Sequence, residues 1–238
     1  MQTPEALNAA FASGNPHDVV VAALRFAAAR TVLDVGCGGG RLVGRLIREG
    51  FDATGVDPAP LAVETARRTV PAAGFAEAGA EALPFEAGRF DAVVFMNSLH
   101  HVPAERMADA LAEARRVVRQ EAAILIVEPL AEGSYFEAMR PVEDETAIRQ
   151  AAGAAIADAV RAGRLRLRGN VVFEETIRFA DVDAFLARLV AVDPARAVLA
   201  ERRRDEVERR FRECSQPDAA GRRLQQPLRI YWLAPAQD

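Results

Sequence analysis

Thr31-Val32-Leu33-Asp34-Val35-Gly36-Cys37-Gly38-Gly39-Gly40-Arg41-Leu42 is the stretch on which the rest of the chain turns. It reads as a short buried strand, Thr31 to Val35, that runs into a glycine loop and then into a helix beginning near Arg41. Four glycines within five positions allow a sharp backbone turn, and they let a ligand approach without meeting a Cβ. The expectation is a loop whose bare amides hold something.

Counting narrows what that is. A dinucleotide fingerprint needs G-x-G-x-x-G, whereas Gly36, Gly38 and Gly40 give G-x-G-x-G and Arg41 stands where the last glycine belongs. A phosphate loop needs G-K-[ST], and this chain has thirty arginines but no lysine. A second strand, Ala53 to Val56, ends at Asp57, twenty-one residues beyond Gly36. A carboxylate there suits a ribose diol, because each oxygen accepts a hydroxyl proton in a bond worth about 1.5–3 kcal/mol. The ligand is expected to carry ribose and need not carry pyrophosphate.

Further along, Asn15-Pro16 marks a break or a helix start, and Asp18 to Ala29 carries an apolar helical face. Leu61 to Val70 reads as a helix and Phe75 to Ala78 as a weak strand near a sheet edge. Phe90 to Phe95 is a continuous apolar strand, as in a parallel sheet covered on both faces. A helix follows Pro103, and Ala122 to Val127 is the fifth strand, ended by Glu128-Pro129. Leu130 to Arg168 is expected to be largely helical. Asn170 to Phe179 alternates as a sixth strand, Asp181 caps a helix to Leu189, Ala195 to Arg212 reads as one helix, and Leu228 to Leu233 is the last strand.

Four motifs then stand in order. They are Val32 to Gly40, Gly55-Val56-Asp57, Ala80-Glu81-Ala82-Leu83-Pro84-Phe85, and Phe90-Asp91-Ala92-Val93-Val94-Phe95-Met96-Asn97-Ser98-Leu99-His100-His101-Val102. Together they resemble the class I S-adenosylmethionine-dependent methyltransferases, and most of all the broad small-molecule branch. The resemblance implies an α/β fold: a Rossmann-like, doubly wound, seven-stranded, mainly parallel sheet whose last strand runs antiparallel between the fifth and sixth, with a helical insertion. It implies one methyltransferase domain over residues 1–238, with residues 1–30 as an N-terminal helical lid and 130–169 as a helical insertion that can cap substrate.

The resemblance also implies a cofactor, S-adenosyl-L-methionine, and residues to hold it. Gly36, Cys37, Gly38 and Gly40 form the loop, Cys37 as a small filler and not a catalytic thiol. Asp34 faces the methionine part; the plainer alternative is an Asp that only bonds neighbouring amides. Asp57 grips the ribose, with Pro58 beside it. Many relatives carry an Asp where this chain has Gly79, so the adenine amino bond comes from a backbone carbonyl, a water or another side chain, or is absent; the Ala80 amide and Glu81 are the candidates for adenine recognition, the plainer alternative for Glu81 being a solvated loop residue. Asn97 meets the methionine or ribose part. Phe11, Asn15 and His17 are lid candidates.

For catalysis the expected residues are His101, as an acid or base, and Glu128 at the carboxyl edge of the sheet, with Tyr135 nearby as a substrate contact. No metal is expected, since His100 and His101 lack a third convergent ligand. The partner implied is a small-molecule methyl acceptor, O-methylation being slightly preferred. Methylation of RNA or protein, and a non-catalytic ligand-binding or scaffolding role on the same fold, are the alternatives.

Composition limits the rest. A net charge of −4 offers no broad positive field for nucleic acid. Arg202-Arg203-Arg204 and Arg209-Arg210 are interrupted by Asp205, Glu206 and Glu208, which reads as pairing on a helix surface. The two cysteines make no disulfide framework. No cationic residue precedes Arg25, and the run Val19 to Ala29 is too short to cross a bilayer. A cytoplasmic location, no membrane partner, and a monomer or homodimer are therefore expected.

Overall fold

The computed structural model describes residues 4–219 and 221–236; of the expected domain, residues 1–3, 220 and 237–238 lie outside the described residues. Two helices open it, α1 (Pro4–Ser13) and α2 (Pro16–Phe26). Asn15 caps α2: its Oδ1 accepts from the N–H groups of His17 at 2.9 Å and Asp18 at 3.3 Å, and Pro16 has no N–H to leave unpaired. Val19 through Leu24 are all buried, so α2 is covered on every side.

The α/β core follows: β1 (Thr31–Val35), α3 (Arg41–Arg48), β2 (Asp52–Asp57), α4 (Pro60–Thr69), β3 (Gly74–Glu77), β4 (Phe90–Met96), α5 (Met107–Val117) and β5 (Val118–Pro129). Ala92 to Phe95 are buried, as a central strand with both faces covered requires. In α5 the buried positions Met107, Ala110, Leu111, Ala114 and Val117 keep helical spacing. β1 lies between β2 and β4, which sets Asp34 opposite Gly55 on one side and Val94 on the other.

The remainder consists of α6 (Ser134–Met139), α7 (Thr146–Arg161), β6 (Leu165–Phe179), α8 (Val182–Val192), α9 (Ala197–Arg202), α10 (Arg204–Cys214), β7 (Gln216–Asp218) and β8 (Gly221–Pro235). The sheet order is β3-β2-β1-β4-β5-β8-β6, with β7 paired to β8 off this path. β8 runs antiparallel to both β5 and β6. The expected mainly parallel sheet with an antiparallel last strand is thus present, and the short β7 is an addition to it.

Two expectations change. Leu165 to Arg168 is strand and not helix: Gly163, at φ 68°, ends α7, Leu165 is buried, and the segment pairs with β8. Arg166 and Arg168 reach Glu121 at 3.2 and 2.6 Å from that strand. Ala195 to Arg212 is not one helix either. The chain breaks at Arg203, so α10 turns to pack against α6 and α8.

Apolar side chains gather in three places. One core lies under α2 and α3, with Val20, Leu24, Leu46 and Val94. The other face of the sheet is covered by α5 and α7 through Leu33, Phe95, Leu111 and Ile156. A third cluster stands off the sheet, where Tyr135 of α6, Phe185 of α8 and Phe211 of α10 meet Phe179; Phe185 lies 5.2 Å from Phe211 and 5.3 Å from Phe179 between ring centroids. This aromatic cluster roofs the carboxyl edge of the sheet.

Candidate active site

The loop between β1 and α3 turns through Gly36, Gly38 and Gly40, all at positive φ (75°, 51° and 80°). A Cβ on Gly36 would stand 2.5 Å from that of Ser98, whose hydroxyl donates to the Val35 carbonyl at 2.6 Å. The loop amides are not bare, contrary to expectation. Gly36 and Cys37 donate to the Val56 carbonyl at 2.8 and 3.0 Å, Gly38 to Asp57 Oδ2 at 2.8 Å, and Gly40 to the Cys37 carbonyl at 3.0 Å. The neighbouring strand and its terminal carboxylate use the first three of these donors, and the loop itself uses the fourth. What the loop offers a ligand is shape: a Cβ on Gly38 would meet nothing within 4 Å.

Two carboxylates flank that shape. Asp57 holds the loop through Oδ2 and accepts from the Ala59 N–H at 2.9 Å through Oδ1, yet stays partly open. Asp34 is 2 % exposed, and its Oδ1 has no hydrogen-bond partner among the described residues. Burial, then the Asp57 charge, pushes its pKa up to about 7. An unpaired buried carboxylate is costly, and a cationic ligand group would relieve it. Cys37 is buried with its thiol pushed upward by burial, then by Asp34 and Asp57, so it stays protonated.

Three chambers adjoin along this edge. The first, about 390 Å³, runs from Gly36 past Asp57 and Pro58 to Gly79, Ala80 and Glu81. The second, about 210 Å³, is bounded by Asn15, His17, Asp34, Cys37 and Arg41. The third, about 210 Å³, lies under the aromatic roof, between His101, Tyr135, Met139 and Ile177. Asn97 lines all three. In the first chamber the Glu81 carboxylate lies over Gly79.

Of the lid candidates, Asn15 and His17 line the second chamber, and burial with Arg41 and Arg45 lowers the His17 pKa to about 4. Phe11 packs instead against Phe173, 5.7 Å between centroids.

The histidine pair divides its work. His100 is buried, its Nδ1 bonded to Glu128 Oε2, while Glu128 Oε1 accepts from the Leu99 N–H at 2.9 Å. Glu128 is itself buried and does not line any of the three chambers. The expectation that it touches substrate is therefore corrected: both its oxygens serve the turn Leu99–His101, whose two histidines line the third chamber. His101 opens on the first and third chambers and stacks on His100 at 4.1 Å between centroids. Burial, then His100, hold its pKa below the ordinary 6.5, so the ring is a neutral base near neutrality.

Five charged groups of the third chamber were not foreseen: Glu145, Arg149, Glu175, Arg188 and Arg196. Glu145, with its side chain 6 % exposed, joins Arg149 and Arg196 at 2.6 Å each, and Arg196 also meets Glu143 at 2.5 Å. Arg149 donates to the Leu130 carbonyl at 2.8 Å, which ties α7 to the end of β5. Arg188 lines the second and third chambers near Tyr135, whose pKa is raised by burial. Only the Glu145–Arg149 spacing, one helical turn, was a signal in the sequence. The arginine groups at 202–210 are surface pairs, for instance Arg209–Glu213 at 3.3 Å and Arg210–Glu137 at 3.1 Å.

Comparison with known proteins agrees with the fold. Residues 32–121 match the protein-family model described as "Methyltransferase domain". An uncharacterized methyltransferase of Mycobacterium tuberculosis (strain ATCC 25618 / H37Rv) is 38 % identical over 93 residues, 39 % of this chain and 37 % of its own length. A ubiquinone biosynthesis O-methyltransferase of Methylocella silvestris is 44 % identical over 75 residues, 30 % of this chain and 29 % of its own. The chain thus spans about a third of the length of these curated relatives. Among solved structures, the YcgJ protein of Bacillus subtilis superposes with a TM-score of 0.62 over 99 % of this chain and 100 % of that one, at 17 % identity.

Proposed function

The chain has the class I S-adenosylmethionine-dependent methyltransferase fold, and on that premise we propose that it moves a methyl group from S-adenosyl-L-methionine to a small-molecule acceptor, with O-methylation preferred. The observation that carries this is the pair of carboxylates at the carboxyl ends of adjacent parallel strands: Asp34, buried with an unpartnered oxygen, and Asp57, partly open beside a glycine-rich loop. A ligand with an ammonium at one end and a ribose at the other fits both.

Each residue then has its task. Asp34 takes the ammonium and Asp57 the ribose hydroxyls, with Pro58 beside the sugar. Gly36 lines the first two chambers, Gly38 and Gly40 let the loop turn, and Cys37 fills the loop wall. Ala80 and Glu81 serve the adenine end, and Asn97 stands where the chambers meet. When bound, the cofactor supplies a methyl carbon already activated by a positive sulfur. The protein need only align the partners and exclude water, which contributes on the order of 7–11 kcal/mol. His101, neutral and open to the third chamber, takes the proton of a hydroxyl acceptor, a contribution of about 10²–10⁴-fold. Glu128 holds His100, and through it the turn that carries His101.

The third chamber supports a small acceptor. Its volume of about 210 Å³ admits a small acceptor. Residues 1–238 are read as one domain, 1–30 as its lid, and the insertion at 130–169 as part of a cap completed by α8 and α10. Among the described residues no helix is long and apolar enough to cross a membrane. A cytoplasmic monomer or homodimer belongs to the same reading.

Calorimetry with S-adenosylhomocysteine tests it. Binding by the parent, weakened by Asp57→Ala, is expected; folded protein that takes up no ligand, or an Asp57→Ala variant that binds like the parent, contradicts it.

A further inference from the structure

Three arginines line the third chamber, and two of them are already committed. Arg149 and Arg196 share the Glu145 carboxylate at 2.6 Å each, and Arg196 has Glu143 besides. Arg188, on α8, makes no ion pair among the described residues. It is exposed, so an incoming molecule can reach it, and it lines the second chamber as well as the third. Glu175 lines the same two chambers, but burial raises its pKa against the pull of Arg188 and then Arg41. A carboxyl group that resists ionisation is a poor counter-ion. Tyr135 stands near Arg188, while Met139, Ile177 and Leu228 supply apolar wall.

We propose that the methyl acceptor is an anion: a small hydroxy acid whose carboxylate docks on Arg188 while its hydroxyl faces His101. The inference rests on the methyltransferase reading above and names the substrate class for that site. A guanidinium presents a planar fork of donors, which the two oxygens of a carboxylate fill together. Anchored there, the acceptor has one end fixed, and His101 lines the same chamber as a neutral base. The hydroxyl oxygen bonds the methyl carbon as the carbon–sulfur bond breaks, and the electron pair of that bond stays on sulfur. The hydroxyl proton passes to the imidazole of His101. The carboxylate keeps its charge throughout, so the product is a methoxy acid. The carboxylate of the cofactor has a different cation to meet, since Arg41 lines the second chamber and not the third.

Matched probes test this without the natural acceptor: 3- and 4-hydroxybenzoate, and their amides, which keep the shape and lose the charge. Calorimetry is run on protein saturated with S-adenosylhomocysteine. In the parent an acid should bind at least about tenfold more tightly than its amide, and Arg188→Gln should abolish that preference while leaving S-adenosylhomocysteine affinity unchanged. Arg188 is exposed on its helix, so glutamine there leaves the fold intact. Equal affinities in the parent, no binding of any probe to the loaded protein, or a preference that survives Arg188→Gln would overturn the inference. Weakened S-adenosylhomocysteine binding in Arg188→Gln would also overturn it, by assigning Arg188 to the cofactor carboxylate. A parent that takes up no S-adenosylhomocysteine would sink the methyltransferase reading itself.

Discussion

The carboxylate of Glu81 folds back over Gly79, with its oxygens 2.5 and 2.7 Å from the point where a Cβ on residue 79 would stand. One acidic side chain therefore fills the place that a side chain at position 79 would otherwise take, two residues away. Gly79 has no left-handed backbone angle that would bar an aspartate, so the two positions are exchangeable in principle.

Glu81→Ala is accordingly expected to weaken S-adenosylhomocysteine binding by roughly tenfold, the worth of one charge-assisted hydrogen bond. Adding Gly79→Asp to that variant should restore affinity, whereas Gly79→Asp alone should weaken binding, because the new carboxylate meets Glu81. Calorimetry on the four proteins checks this, and a Glu81→Ala variant that binds like the parent would remove Glu81 from the adenine end.

Asp34 offers a dependence on pH. With its pKa raised from 3.8 to about 7 in the ligand-free fold, its share of stability is complete below the unfolded value and is lost as pH rises toward 7. Asp34→Asn should therefore raise the melting temperature of the ligand-free protein, by about 2–4 °C for each kcal/mol relieved, and more at about pH 8 than at about pH 4.5. The same variant should bind S-adenosylhomocysteine far more weakly. Thermal scans at the two pH values, with calorimetry, read both effects; a variant less stable than the parent at the higher pH would contradict them.

Glu145 holds two guanidinium groups whose side chains are each 6 % exposed. Removing it leaves the buried Arg149 without a counter-charge and Arg196 with Glu143 alone, so Glu145→Ala should lower unfolding free energy by about 3–5 kcal/mol, against less than about 1 kcal/mol for the surface partner Glu213→Ala. Urea unfolding followed by circular dichroism measures the difference, and equal small losses would show that the network does not hold the cap.

What the sequence disclosed follows from range. The β1 strand, its glycine loop, the Asp57 terminus and the Asn15 and Asp181 caps depend on neighbours a few residues away, and each stands where it was expected. Leu165 to Arg168 became strand because β8, some seventy residues on, pairs with it. The loop amides are occupied because Val56 and Asp57 arrive from another strand. Glu128 was placed correctly at the sheet edge, but which way its side chain faced depended on His100, 28 residues earlier. The charged wall of Glu145, Arg188 and Arg196 is assembled from three separate segments, so no local pattern announced it.

One diffraction experiment on crystals grown with S-adenosylhomocysteine decides most. The account predicts sugar hydroxyls on the Asp57 carboxylate, the amino group on Asp34 and the thioether sulfur beside Asn97. A ligand whose sugar lies away from Asp57, or whose amino group leaves Asp34 untouched, would contradict it.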